Sequence, residues 1–142
     1  MKKILLATAF MTLSLNSCRS ENNEPQTETQ VTISQQIVGT WTITKKETNG
    51  VNIPPSSLCP NHGNFVFTTD KKLTENYNSN NGGSCSTDTD ISTYTIDENS
   101  KKITTKNSQN DVLIYNISTL TDNQLILINT EGSDTIKYTF SK

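Results

Sequence analysis

From Ile33 to the C-terminus the chain is written in runs rich in Thr, Ile, Val and Tyr, separated by Asn/Asp/Gly/Ser clusters. Residues of this kind fit a pleated, half-buried surface, and the clusters between them supply turns. No segment after Ile37 carries a helical period long enough to compete. Only Ser34–Ile37 suits a short helical turn. The pattern predicts eight strands: Val38–Thr48, Gly63–Thr69, Lys72–Asn78, Asp90–Ile96, Lys101–Lys106, Asp111–Thr119, Gln124–Thr130 and Ser133–Phe140.

The connections narrow the architecture. Asp70-Lys71, Asp97–Ser100, Asn107–Asn110, Thr121–Asn123 and Glu131-Gly132 are short enough for hairpins. Sequential hairpins favour an all-β, up-and-down antiparallel arrangement, and eight strands suffice to close a barrel and remove both edges. An open sandwich is the alternative. Two links are long, Asn49–His62 and Ser79–Thr89, and the second reads as a mobile loop. In an up-and-down order both lie at the same end, the mouth.

The chain has 142 residues and three cysteines. Lys2-Lys3, an apolar stretch from Ile4 to Leu15, and Leu15-Asn16-Ser17-Cys18 form a basic head, a greasy core and a small residue before a cut. That is a secretory signal peptide. The stretch is shorter than the roughly 20 apolar residues of a spanning helix. The cysteine at the cleavage point makes residues 1–17 resemble a bacterial lipoprotein signal, which implies lipidation of Cys18 and anchoring in the cell envelope, on the periplasmic or surface face of the outer membrane. Residues 18–34 have almost no large apolar side chain and read as a flexible tether. Residues 35–142 form one domain.

Cys59 and Cys85 remain as an even pair in an oxidising compartment, so a disulfide is expected. The rival is a metal site at Cys59-Pro60-Asn61-His62, but no second ligand pair accompanies it, and His62 is the only histidine. No metal and no cofactor are expected. Loss of residues 1–17, which hold two lysines and no acid, leaves ten bases against fourteen acids, a formal charge of −4. Nucleic acid rewards clustered Lys and Arg, and the sole arginine is Arg19, so no nucleic-acid partner is expected. A monomer is expected.

Gly39-Thr40-Trp41, preceded by Ile37-Val38, resembles the Gly-x-Trp motif of the lipocalins. The likeness is closer to the small lipocalin-like domains of bacterial envelope lipoproteins and covers about Gln35 to Lys142. It implies that Gly39 lets the entering chain approach the barrel floor and that Trp41 plugs that floor. It also implies binding of small, often hydrophobic molecules. Lipocalins lay an arginine over the tryptophan. This domain has none, and Lys137 or Lys142 is the available stand-in, a point charge without the planar stacking group.

Strand alternation assigns faces. With Trp41 inward, so are Gly39, Ile43, Lys45 and Glu47; the other inward sets include Phe65 and Phe67, Leu73, Glu75 and Tyr77, Tyr94 and Ile96, Ile103 and Thr105. Leu113, Tyr115 and Ile117, Leu125 and Leu127, and Ile136, Tyr138 and Phe140 complete them. The lower half then reads as core. The upper half gathers Lys45, Glu47, Glu75 and Tyr77, which with Tyr94, Tyr115 and Tyr138 are the candidate ligand-binding residues. Two readings compete. In one, these groups orient an amphipathic ligand whose tail enters the lower half. In the other, Lys45 pairs with a neighbouring glutamate, side chains fill the barrel, and the long links contact a protein or glycan. No Gly-x-Ser-x-Gly, His-Glu-x-x-His or phosphate-loop motif occurs, so an enzyme is not expected.

Overall fold

The computed structural model describes residues 31–142; residues 1–17, expected to be a signal peptide, and Cys18 lie outside the described residues. One short helix, α1 (Ile33–Gln36), precedes nine strands: β1 (Gly39–Thr48), β2 (Val51–Ile53), β3 (Gly63–Phe67), β4 (Lys72–Asn81), β5 (Ser84–Asp97), β6 (Lys102–Asn107), β7 (Val112–Leu120), β8 (Gln124–Glu131) and β9 (Asp134–Ser141). All pairings are antiparallel, and β1 pairs with both β3 and β9. Eight strands therefore close into a barrel, with β2 added on the rim beside β1. The eight expected strands are all present, and the open sandwich is excluded by closure.

The two long links differ from expectation. Asn49-Gly50 is a two-residue hairpin turn joining β1 to β2, with both residues at positive φ. Gly82-Gly83 does the same between β4 and β5. Both are primed turns, whose twist matches that of paired strands. Ser79–Thr89 is therefore no loop. Its residues continue the β4–β5 ladder, Ser79 opposite Ser86 and Asn80 opposite Cys85, as a two-stranded arm above the barrel. The Cys59–Cys85 disulfide ties this arm to the segment between β2 and β3. Cys59 is thereby unavailable as a metal ligand.

Thr32 and Gln35 form a reciprocal capping box on α1. Glu98, in the β5–β6 turn, accepts from the backbone N–H of Ile33 (2.9 Å) and of Ser34 (3.0 Å) and from the Ser34 hydroxyl (2.6 Å). This clamp seats α1 under the barrel, and Ile37 is fully buried behind it.

Trp41 stands at the closed end of the barrel. It is fully buried, and its Nε1 donates to Ile37 O at 2.6 Å. Lys142 takes the place of the arginine. Its Nζ lies 4.7 Å from the Trp41 ring centroid and donates to Val38 O at 2.7 Å. Gly39 makes room for it: at φ +132° an added Cβ would stand 2.6 Å from Lys142 Cε. Lys137 is on the outer face instead, 3.1 Å from Glu47.

Candidate functional site

The barrel interior is solid through its lower and middle levels. Phe65 is the hub, with ring centroids 5.0 Å from Phe140, 5.7 Å from Tyr77, 5.8 Å from Tyr138 and 6.0 Å from Tyr115. Phe67 meets Tyr94 edge to face beneath it. Leu73, Ile103, Leu125 and Leu127 fill the remaining space. The lower half is thus core, as read from alternation. Above this aromatic layer a cavity of about 340 Å³ opens at the mouth, at the small end of ligand pockets.

Glu75 forms the inner wall of that cavity. It lies on β4, shares its face with Leu73 and Tyr77, and is 4% exposed. Tyr115 donates to its Oε1 at 2.5 Å, and Tyr77 donates to the same oxygen at 3.4 Å. Burial raises the carboxyl above its ordinary 4.5; the Tyr115 hydrogen bond opposes this, and the nearby charge of Asp90 adds to it. Burial likewise raises the phenols of Tyr77 and Tyr115 and pushes Tyr138 up to about 12, so all three remain protonated donors.

A raised carboxyl has a consequence for stability. The folded state keeps this proton to higher pH than the unfolded chain. The group's contribution is therefore most favourable below 4.5 and declines as pH rises toward its folded value. The Glu47 and Glu98 carboxyls are held below their ordinary range, chiefly by hydrogen bonds from Lys45 and Ser34, and act in the opposite sense. Glu75→Gln isolates the first effect. Urea titrations from pH 4.5 upward should give an unfolding free energy that gains on the wild type as pH rises. A constant difference would mean that Glu75 ionises as freely in the fold as in the unfolded chain.

Three of the seven candidate ligand residues lie elsewhere. A β-bulge between Ile43 and Lys45 inserts Thr44 into β1, so Ile43 faces Phe140 while Lys45 faces Thr139. The extra residue reverses parity for the rest of the strand. Lys45 and Glu47 therefore stand on the outer face, 3.0 Å apart, with Lys137 completing the cluster. Lys46 points inward in their place, its Nζ 5.5 Å from the Tyr138 ring centroid. Tyr94 is the third. Its hydroxyl donates to Thr68 O at 2.8 Å, in the β3–β4 turn at the floor end. Glu75, Tyr77, Tyr115 and Tyr138 do converge, and Tyr115 and Tyr138 form the roof of the packed core.

The rest of the cavity wall is Asp90 and Ser92 on β5, Thr105 and Asn107 on β6, Asp111 and Leu113 at the start of β7, and Glu131 on β8. Alternation names Thr105 as inward, whereas Asp90, Asn107, Asp111 and Glu131 stand at or just beyond the ends of the expected strands, where they look like turn residues. The signal was present nonetheless. Asp90 and Ser92 have the parity of Tyr94, Asn107 that of Thr105, Asp111 that of Leu113, and Glu131 that of Leu127. No group of three or more His, Cys, Asp or Glu side chains among the described residues has metal-binding geometry.

The model of a lipocalin-like domain family matches residues 37–127. The chain belongs to the lipocalin-like domain family. Among solved structures the bovine lipocalin allergen Bos d 2 is similar at 13% identity, with a TM-score of 0.50, over 78% of this chain and 75% of that one. A bovine odorant-binding protein, a deswapped triple mutant, gives 14% identity and a TM-score of 0.46 over 75% and 74%. No curated protein sequence matches. At such identity the allergen's likeness concerns the lipocalin fold alone. The fold leaves the mouth as the free end of the barrel, since Trp41, α1 and Lys142 close the other.

Proposed function

We propose that this protein is a lipid-anchored envelope lipoprotein whose lipocalin-like barrel binds a small amphipathic molecule at its mouth, without catalysis. The observation that carries the reading is the cavity above the Phe65–Tyr115–Tyr138 layer. It sets one apolar side chain, Leu113, among placed polar groups, and its inner carboxylate, Glu75, is held by the Tyr115 and Tyr77 hydroxyls of the packed layer. The packed lower half limits the ligand to a short molecule held near the surface. The lipocalin-like family supports binding as the activity. The Leu15–Cys18 sequence supports the anchor, which would leave the mouth facing away from the membrane, because α1 enters at the opposite end.

Native mass spectrometry of the protein isolated from its own host tests the ligand. A retained small molecule, lost on denaturation, is the expected result. Repeatedly empty protein that also ignores added amphiphiles would overturn it in favour of a filled barrel acting through its rim. The disulfide-tied β4–β5 arm supports that second reading, since it projects a stiff surface beyond the barrel. Cys18→Ala tests the anchor: the variant should move from the membrane to the soluble fraction, and a variant that still sediments wholly with membranes refutes lipidation.

A further inference from the structure

The mouth cavity is one-sided in charge. Four carboxylates line it, Glu75, Asp90, Asp111 and Glu131, and no lysine does. Lys45 and Lys137 are spent on Glu47 at the outer face. Lys46, the inward cation of β1, lies over Tyr138, and β1 is across the barrel from β6 at the centre of the cavity wall. A low-dielectric cavity lined by one sign of charge concentrates the opposite sign.

Hydrogen bonding points the same way, independently of charge. Ser92 is 7% exposed and lines the cavity, yet its Oγ has no partner among the described residues. Asn129, on the strand that carries Glu131, is 2% exposed; its Nδ2 donates to Glu131 Oε1, and its Oδ1 has no donor among the described residues. Both tyrosine hydroxyls serve Glu75 Oε1, so its Oε2 is the oxygen with no such donor. Buried polar atoms are seldom left unpaired. Of these groups, Ser92 and Glu75 line the cavity, and Ser92 Oγ can accept while Glu75 Oε2 is an acceptor, so the complementary ligand brings N–H donors.

Resting on the mouth as the binding site, we infer that the ligand is a small organic cation, a protonated amine on a short apolar or aromatic body. The ammonium pairs with Glu75 and donates to Ser92 Oγ, Asp90 and Glu131 raise its local concentration, and the body lies against Leu113. The groups that face Glu75 are Tyr77 on its own strand, Asp90 on β5, Tyr115 on β7, Glu131 on β8 and Tyr138 on β9. A cation among them favours the ionised carboxylate, so binding should expel a proton from Glu75 wherever that group is protonated in the free protein.

Calorimetry of the mature protein with three matched probes tests this: 2-phenylethylamine, neutral 2-phenylethanol and anionic phenylacetate. The amine should bind at least about tenfold more tightly than the alcohol, the acid least, and the amine's enthalpy should vary with buffer ionisation enthalpy as a proton is released. Glu75→Gln should cost the amine about tenfold or more and the alcohol much less. If that variant does not fold, the rim pair Asp90→Asn with Glu131→Gln should weaken the amine alone, and more so at low salt. Alcohol binding as tight as amine binding overturns the cation assignment and leaves the mouth site standing. Silence from all three probes, with empty native mass spectra, overturns the mouth site itself. Saturable binding of calcium chloride that excludes the amine would replace the organic cation by a metal ion and equally refute the assignment.

Discussion

Trp41→Ala should lower the unfolding free energy by about 3–5 kcal/mol, the range for removing a large aromatic side chain from a well-packed core. Small domains have only about 5–15 kcal/mol in total, so much of the population should unfold under mild urea. Trp41 is fully buried at the closed end, and nothing nearby can fill its volume: β1 is held on both edges, by β3 and by β9. Its removal also strips the partner from Ile37 O and the aromatic face from Lys142. Lys142→Met offers the graded comparison. It keeps the tryptophan and loses the cation–π contact, worth about 0.5–2 kcal/mol, together with the bond to Val38 O. Urea midpoints of the two variants should therefore rank well apart. A Trp41→Ala midpoint within about 1 kcal/mol of the wild type would mean that the floor is held by α1 and the strand ladder alone.

The second large effect concerns the bridge between Cys59 and Cys85, which are 26 residues apart in sequence. Chain-entropy arguments assign such a loop roughly 3.5 kcal/mol, with a range of about 2–5 for native bridges in small secreted domains. The paired Cys59→Ser, Cys85→Ser variant should melt at least about 10 °C lower than the parent. Hydrogen exchange should place the earliest loss of protection in the arm at residues 79–88, because beyond the Asn78 bonds to Asn61 and His62 that arm is held by its own ladder and the bridge. The same variant should bind any mouth ligand more weakly, since β4 and β5 carry Glu75, Asp90 and Ser92. Intact mass with and without reductant gives the direct check: two thiols should alkylate only after reduction. Equal melting of parent and variant would show that the arm is held without the bridge.

The parts legible in advance share one property: they depend on local alternation. A period of two along each strand places Phe65, Leu73, Ile103, Leu127 and Phe140 inside without knowledge of any partner strand. The same rule reaches Asp90 and Asp111 at the starts of two expected strands and, carried one step past the ends of two others, Asn107 and Glu131. It was stopped there by turn-like composition, just as Asn49-Gly50 and Gly82-Gly83, each a hairpin signal in its own right, were absorbed into long links. The error at Lys45 and Glu47 is of another kind. Counting by twos from Trp41 gives the wrong face because Thr44 is an unpaired insertion, and only the register of β1 against β9 reveals it.

By itself the amino-acid order determined an all-β chain, the inward residues of every strand apart from β1 beyond its bulge, and the even cysteine pair, because each follows from periodicity, turn chemistry or parity within a short stretch. The tertiary structure alone decided which of Lys45 and Lys46 faces inward, where the side-chain packing stops, and that carboxylates from β4, β5, β7 and β8 meet over one cavity. The reason is barrel closure. It sets the offset of every strand against its neighbours, and that offset, absent from any single segment, chooses which side chains share a level.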